Sequence, residues 1–218
     1  MTINENNVFS KPTFQAFLPL LDNYKSWIGE VETLTSSQWN EINHFLDVIM
    51  QTSVMDLTYK FLLDNGKVAN MADFRDTIKE LWFNLYSRSS SGPASGDSSG
   101  FEHVIVGELK PDKVSGFHNW VQFYMEEKAG RLNYKGYKAI AEPNMVAALF
   151  DWQGKTKSKG SFFYGVSPEF DIAIYSICAL MHPSSPCIFN MNGQNVKIQT
   201  YDVSHKSGLQ VATAYPDI

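Results

Sequence analysis

The sequence predicts an α+β fold: a helical N-terminal region followed by antiparallel sheets with interspersed helices. Three observations carry this reading. Apolar residues recur at helical spacing through residues 1–86. Asn192-Gly193 lies between two apolar runs, the strongest short hairpin signal. After residue 100, strands joined by short turns alternate with helical stretches, which favours antiparallel sheets.

Taken in order, Phe14, Phe17, Leu18, Leu21, Tyr24 and Ile28 make the first helical stripe, weakened by Pro19. Thr35 and Gln38 form a capping box, and a helix runs from about Ser36 with Trp39, Ile42, Phe45, Leu46 and Ile49 on one face. His44 within it reads as a surface or satisfied core residue. Asn70 with Asp73 starts another helix, carrying Phe74, Ile78, Leu81, Trp82 and Leu85 to the core. Residues 87–100 hold ten Ser or Gly among fourteen and read as a mobile loop or flap. Residues 101–218 then form a second region of mixed strands and helices. Val104-Ile105-Val106 is expected to begin a strand, and residues 110–113 a turn. Ser115 is expected to cap a helix from Phe117 to about Ala129, with Gly130 closing it. Residues 161–164 read as a strand. Ser167-Pro168 starts a helix to about Met181, residues 187–201 make the Asn-Gly hairpin, and Leu209 to Tyr215 is the last strand.

Composition narrows the classes. The chain has 218 residues and a formal charge of −5, which argues against a passive polyanion binder. Residues 1–86 carry six Lys/Arg against eleven Asp/Glu, whereas residues 101–160 carry nine against seven. Cys178 and Cys187 are too few for a disulfide framework or a paired-cysteine zinc motif, and are expected as two buried free thiols. No segment reads as a signal peptide or a membrane span, so the default expectation is a cytoplasmic chain with no membrane partner.

The chemistry-bearing feature is an echo. Ser99-Gly100-Phe101-Glu102-His103 is followed by Ser115-Gly116-Phe117-His118, with the histidines fifteen positions apart. Two imidazoles can supply the proton donor and acceptor for a metal-free cut of a phosphodiester. In the first turn of a helix, His118 would be held neutral by the helix dipole, as a general base requires. Glu102 beside His103 would favour an imidazolium, the general acid. The two sites then push their histidines toward opposite protonation states. Structural histidines are the plain alternative. A metal site from Glu102, His103, Glu108 and His118 is another, although the spacing matches no standard zinc motif.

The stretches Asp97–Glu108, Val114–Lys128 and Gly160–Phe170 closely resemble the signatures of the EndoU (XendoU-like) endoribonuclease family. The match runs in order through nearly all of residues 97–218, which implies that residues 101–218 are the catalytic region, and the helical first half resembles the cellular-type members. The resemblance implies cleavage of RNA 3′ to uridine, leaving a 2′,3′-cyclic phosphate and a 5′-hydroxyl. It implies His118 as base on the 2′-hydroxyl and His103 as acid on the leaving 5′ oxygen. The family lysine precedes a Gly-Ser by three residues, which selects Lys157; Lys155 and Lys159 would share its face of a strand. Its expected role is to stabilise charge in the transition state. Ser161, Thr213 and Tyr215 match positions that bind the uracil, by hydroxyl contact and by stacking. Glu102, Glu108 and Gly116 are supporting residues, Gly116 because a small backbone can approach a phosphate. Glu102 and Glu108 are also the candidate metal ligands; no cofactor is required, with Mn2+ at most an activator. The expected partner is single-stranded, uridine-containing RNA. Protein partners are unnamed, an inhibitor or immunity protein being expected only of a toxin. The competing functions are a non-cleaving RNA-binding protein on the same fold and a metal-dependent phosphodiesterase.

Overall fold

The structure is a computed structural model that describes residues 2–88, 96–203 and 210–218. Five short α-helices come first: α1 (Glu5–Val8), α2 (Pro12–Phe17), α3 (Ser36–Ile49), α4 (Ser53–Asp64) and α5 (Met71–Phe83). The capping box forms as expected: the Gln38 N–H donates to Thr35 Oγ1 at 3.3 Å, and the Thr35 N–H donates to Gln38 Oε1 at 2.8 Å. Asn70 caps α5 by accepting the Asp73 N–H at 3.0 Å. His44 lies exposed on α3.

Two details of this half differ from expectation. The first helical stripe is not continuous; α2 tightens into a 3-10 turn over Leu18–Asp22, with Pro19 near its start, and Tyr24 and Ile28 lie beyond it. Proline lacks the N–H that an α-helix would need there, so the chain changes helix type. Helix α4, capped by Thr52, was not expected. Leu57, Phe61 and Leu63 face outward and blur its buried stripe of Met55, Thr58 and Leu62.

In the second half, β1 (Glu108–Leu109) and β2 (Val114–Ser115) pair antiparallel around the expected turn. After α6 (Trp120–Lys128) come β3 (Leu132–Ala141), β4 (Met145–Trp152) and β5 (Lys155–Phe163), an antiparallel sheet in that order. The β3–β4 hairpin and the early start of β5 were not expected. Helix α7 (Pro168–Met181) begins and ends where the sequence indicates. It leads to β6 (Pro186–Met191), β7 (Gln194–Asp202) and β8 (Val211–Pro216), a second antiparallel sheet in that order. Asn192 and Gly193 both have positive φ, 53° and 82°, as the tightest hairpin turn requires. Leu209, the expected start of the last strand, lies outside the described residues, as do residues 89–95 of the expected flap.

Three corrections bear on the site. Residues 104–106 are not a strand; Glu102–Val106 is a π-helical turn, closed by the Gly107 N–H donating to Glu102 O at 2.8 Å. A short run that is buried all round carries no period, and its β-branched residues favoured the wrong element. Helix α6 is capped not by Ser115, which belongs to β2, but by Asn119, whose Oδ1 accepts the N–H groups of Val121 and Gln122 at 2.9 and 3.0 Å. Finally, Cys178 and Cys187 are not free: they form a disulfide, with Cα atoms 5.4 Å apart. The turn after α7 returns the chain alongside its own last helical turn, and only that return brings the sulfurs within bonding range.

One hydrophobic core runs through both halves. Phe101 stacks on Phe83 with centroids 5.1 Å apart and meets Phe17 and Phe45 edge-on. Trp82 Nε1 on α5 donates to Ser176 Oγ on α7 at 2.8 Å. Phe117 instead packs on Phe150 and Trp152 of β4. The two echoed phenylalanines thus anchor the π-helical turn to the helices and the Gly116–His118 segment to the sheet. No helix among the described residues is long and apolar enough to cross a membrane.

Candidate active site

The two histidine motifs are joined backbone to backbone. The Phe117 N–H donates to His103 O at 2.9 Å, and the His118 N–H donates to Val104 O at 2.6 Å. Gly116 makes this approach feasible. Its φ is +63°, and a Cβ there would overlap the His103 carbonyl oxygen. Phe117 itself sits at φ +70°, a conformation uncommon for a bulky residue, held by its ring in the core and by its bond to His103.

Each imidazole is fixed through Nδ1. His118 Nδ1 lies 2.8 Å from the carbonyl oxygen of Ser161 on β5; a carbonyl only accepts, so Nδ1 carries the hydrogen. His103 Nδ1 lies 2.6 Å from Glu108 Oε2. Both Nε2 atoms are left free of these partners. Burial alone would raise the Glu108 carboxyl, but the His103 ring and Arg88, with hydrogen bonds from His103 and Ser98, outweigh it and hold Glu108 below the usual range. In this pair His103 Nδ1 is the donor and Glu108 Oε2 the acceptor.

This corrects the expectation of opposite protonation states. Burial pushes His103 down to about 4, aided by Arg88 and Lys157 and opposed by Glu108. Burial also pushes His118 well below its ordinary value, with Lys157 acting the same way and the Ser161 carbonyl opposing. Burial thus pushes both rings in the same direction, toward the neutral form. Adjacency in sequence is not contact here, because Glu108 and not Glu102 is the carboxyl that touches His103. Both Glu102 oxygens are buried without a hydrogen-bond partner among the described residues, and burial, then the carboxyls of Glu108 and Glu32, push it up to about 10. His118 also lies outside the first turn of α6, one residue before its cap Asn119.

Lys157 stands on β5 opposite Phe150. Burial lowers it to about 8, opposed by Glu108 and reinforced by Lys113 and Lys110. Lys155, Lys157 and Lys159 do not simply share one face. The β4–β5 register shifts between Ala148 and Phe150, which inserts an extra residue into β5 and leaves Lys159 exposed and out of phase. Gly160 has no side chain to displace the Phe150 ring or the Lys157 stem, both within 3.1 Å of where a Cβ would stand.

Tyr215 on β8 stacks on His118, with centroids 4.9 Å apart and planes 20° from parallel. Thr213, two residues earlier on the same strand, has a buried hydroxyl with no hydrogen-bond partner among the described residues. Tyr201 stands opposite it on β7, half-exposed. Ser161 is buried, and its carbonyl holds His118. Four of the residues expected from the sequence thus gather directly around the two rings: Glu108, Gly116, Ser161 and Tyr215. Lys157 is close enough to depress both rings, and Thr213 lies one strand step beyond Tyr215.

Glu102 and Glu108 are engaged differently. Burial favours the protonated form of the Glu102 carboxyl, whereas both oxygens of Glu108 have partners, Oε2 with His103 and Oε1 with Ser98, with Arg88 Nε 3.4 Å away. Among the described residues, no three His, Cys, Asp or Glu side chains come together to hold a metal.

Arg88 was missed. Its guanidinium donates to Tyr86 Oη and to the Ala212 carbonyl, and its backbone N–H donates to Asp97 Oδ1 at 2.6 Å. It thereby ties the start of the Ser/Gly segment to β8 and to Glu108. The available signal was its standing as the lone cation of residues 87–100.

A family model described as Endoribonuclease XendoU matches residues 1–216. The chain is 42% identical over 222 residues to the uridylate-specific endoribonuclease C of Xenopus laevis, covering 98% of this chain and 72% of that protein. It is also 42% identical to the uridylate-specific endoribonuclease of Mus musculus, covering 98% of this chain and 53% of that one. The solved structure of XendoU, described as a splicing-independent snoRNA processing endoribonuclease, superposes with a TM-score of 0.85 at 35% identity, covering 99% of this chain and 82% of that one.

Proposed function

This chain belongs to the XendoU endoribonuclease family, and we propose that it cuts RNA by transesterification, with His118, His103 and Lys157 carrying the reaction. Cleavage of RNA at uridines is the activity for which its relatives are named, and it is this chain's own. In the mechanism we put forward, His118 Nε2 takes the proton of the uridine 2′-hydroxyl. The 2′-oxygen attacks phosphorus and the bond to the 5′-oxygen breaks. His103 gives that leaving oxygen a proton. The products are a 2′,3′-cyclic phosphate and a 5′-hydroxyl. The Lys157 ammonium stabilises the charge that builds on the non-bridging oxygens.

The observation that carries this reading is the pair of rings held at Nδ1 by unlike acceptors. A carbonyl behind His118 favours a neutral base. A carboxylate behind His103 stabilises the imidazolium that an acid must be. In the free protein burial wins at His103. A bound phosphodiester brings a negative charge that supports protonation there. Ser161, Thr213 and Tyr215 are proposed to bind the uracil, which requires a single-stranded or looped substrate whose base edge is open.

An oligonucleotide with one uridine tests all of this. The expected products are a cyclic-phosphate end and a 5′-hydroxyl end, identified by mass. A 2′-deoxyuridine in that position should bind and stay intact. Cleavage of the deoxy substrate would sink the mechanism and favour a phosphodiesterase. Loss of cleavage in the ribo substrate would favour a non-cutting RNA-binding protein. Manganese is proposed as an activator at most, so EDTA should leave cleavage within about tenfold, since the acid, base and charge stabiliser are side chains. A cytoplasmic setting is the reading that the Cys178–Cys187 bridge fits least well, because such bridges persist in oxidising compartments. Free-thiol labelling of the protein from its source separates the two.

A further inference from the structure

A basic patch with one exposed aromatic ring adjoins the site on the His103 side. The segment of Ser26 to Ile28 pairs with Leu109, the residue after the carboxylate that holds His103: Leu109 N–H donates to Ser26 O at 2.6 Å, and Ile28 N–H to Leu109 O at 3.2 Å. Trp27 is set there, 39% exposed. Lys155 Nζ donates to the Pro111 carbonyl at 2.8 Å and lies 5.8 Å from the centre of the Trp27 ring. Lys110 and Lys113 flank the same β1–β2 turn and are near enough to lower Lys157. None of Lys110, Lys113 and Lys155 has an ion-pair partner among the described residues, and the one acid of the turn is Asp112. A chain of net charge −5 therefore gathers unpaired cations beside its catalytic lysine.

We propose that Trp27, Lys110, Lys113 and Lys155 form a second RNA subsite, which holds the nucleotides on the 3′ side of the cleaved bond. The polarity follows from the reading above, on which this inference rests. Tyr215 and His118 take the uridine. His103 faces the leaving oxygen, which belongs to the next nucleotide. The strand leaving His103 meets the turn that follows Glu108, where lysines can accompany phosphates and the Trp27 indole can stack a base. Stacking of this kind tolerates any base, so the subsite adds affinity without adding sequence choice. Single-stranded RNA suits it better than an acidic peptide, because the patch pairs an aromatic face with spaced cations.

The test measures binding of oligonucleotides with one 2′-deoxyuridine, bare or extended by four nucleotides on the 3′ or the 5′ side. The 3′ extension is expected to tighten binding about tenfold or more at low salt, and the 5′ extension to do less. Trp27→Leu should remove most of that gain, and Trp27→Phe should keep much of it. The Lys110→Gln, Lys113→Gln double variant should flatten the salt dependence of the extended oligonucleotide by about 1.4 in log-log slope, about 0.7 per phosphate contact. The proposal is overturned if extension has no effect, if the 5′ side shows the larger gain, or if the variants weaken bare and extended oligonucleotides alike. Displacement by polyglutamate as readily as by RNA would assign the patch to an acidic protein and also overturn it. Cleavage of the all-ribo oligonucleotide by the unaltered protein is scored separately, so a failed subsite is distinct from a failed nuclease.

Discussion

At the scale of the residue, burial outweighs sequence neighbours. His103 is adjacent to Glu102, yet Glu108, five residues on, holds its ring, and the dry surroundings set its charge. Lys157 carries the clearest pH prediction. Its lowered value of about 8 means that the ammonium is present at neutral pH and is lost as pH rises through about 8. The expected kcat/KM falls along that limb, and Lys157→Arg should move the limb to higher pH while lowering the maximum, because an arginine stays charged. A pH–rate profile of both proteins checks this; an unmoved limb would assign it elsewhere. Glu108→Gln keeps a side-chain oxygen near His103 but removes the charge that stabilises an imidazolium. It should lower kcat by about 100-fold or more, with a smaller change in KM, in steady-state kinetics.

At the scale of the element, the two histidines are placed by the π-helical turn and the close approach at Gly116, while β1, β5 and β8 bring Glu108, Lys157, Ser161 and Tyr215 to them. Gly116 joins the π-helical turn to the segment of His118, and no residue with a Cβ fits its place. Gly116→Ala should destabilise the fold by about 2–4 kcal/mol, from strain at positive φ together with the overlap, and remove nearly all cleavage. Thermal unfolding beside an activity assay reads both. Asn119 sits just after His118, its Oδ1 on two N–H groups of α6 and its Nδ2 donating to Asp171 Oδ2 at 2.8 Å. Asn119→Ala is expected to cost about 1–2 kcal/mol by denaturant titration, as the loss of a cap that is itself anchored. The caps at Thr35 and Asn70, the turn at 110–113 and the Asn192-Gly193 hairpin were legible because each depends on neighbours in sequence. The start of α6 was not, since Ser115 and Asn119 are both acceptable caps. The choice between them came from the pairing of Ser115 with Glu108 across β1 and β2.

At the scale of the molecule, the helical half is part of the site's support. Phe101, two residues before His103, is held by Phe17, Phe45 and Phe83, and α5 is tied to α7 through Trp82 and Ser176. The second sheet, which brings Tyr215 to His118, is linked to α7 by the Cys178–Cys187 bridge and by Thr200 Oγ1, which donates to His182 O at 2.7 Å. Closing so short a loop restricts the unfolded chain, so Cys178→Ser with Cys187→Ser should lower stability by about 2–3 kcal/mol, seen as a lower midpoint in guanidinium. An unchanged midpoint would mean that the bridge constrains little.

From the sequence alone came the α+β class, the principal caps and turns, the family and the residues proposed for the reaction, because long motifs and local hydrogen-bonding rules are written in neighbouring positions. Only the tertiary structure decided which carboxyl holds His103, that burial pushes both rings toward the neutral form, where α6 begins, how a β-bulge separates Lys159 from Lys157, and that the two cysteines meet. Each of these turns on distance through space and on exclusion of water, and neither is a property of sequence neighbours.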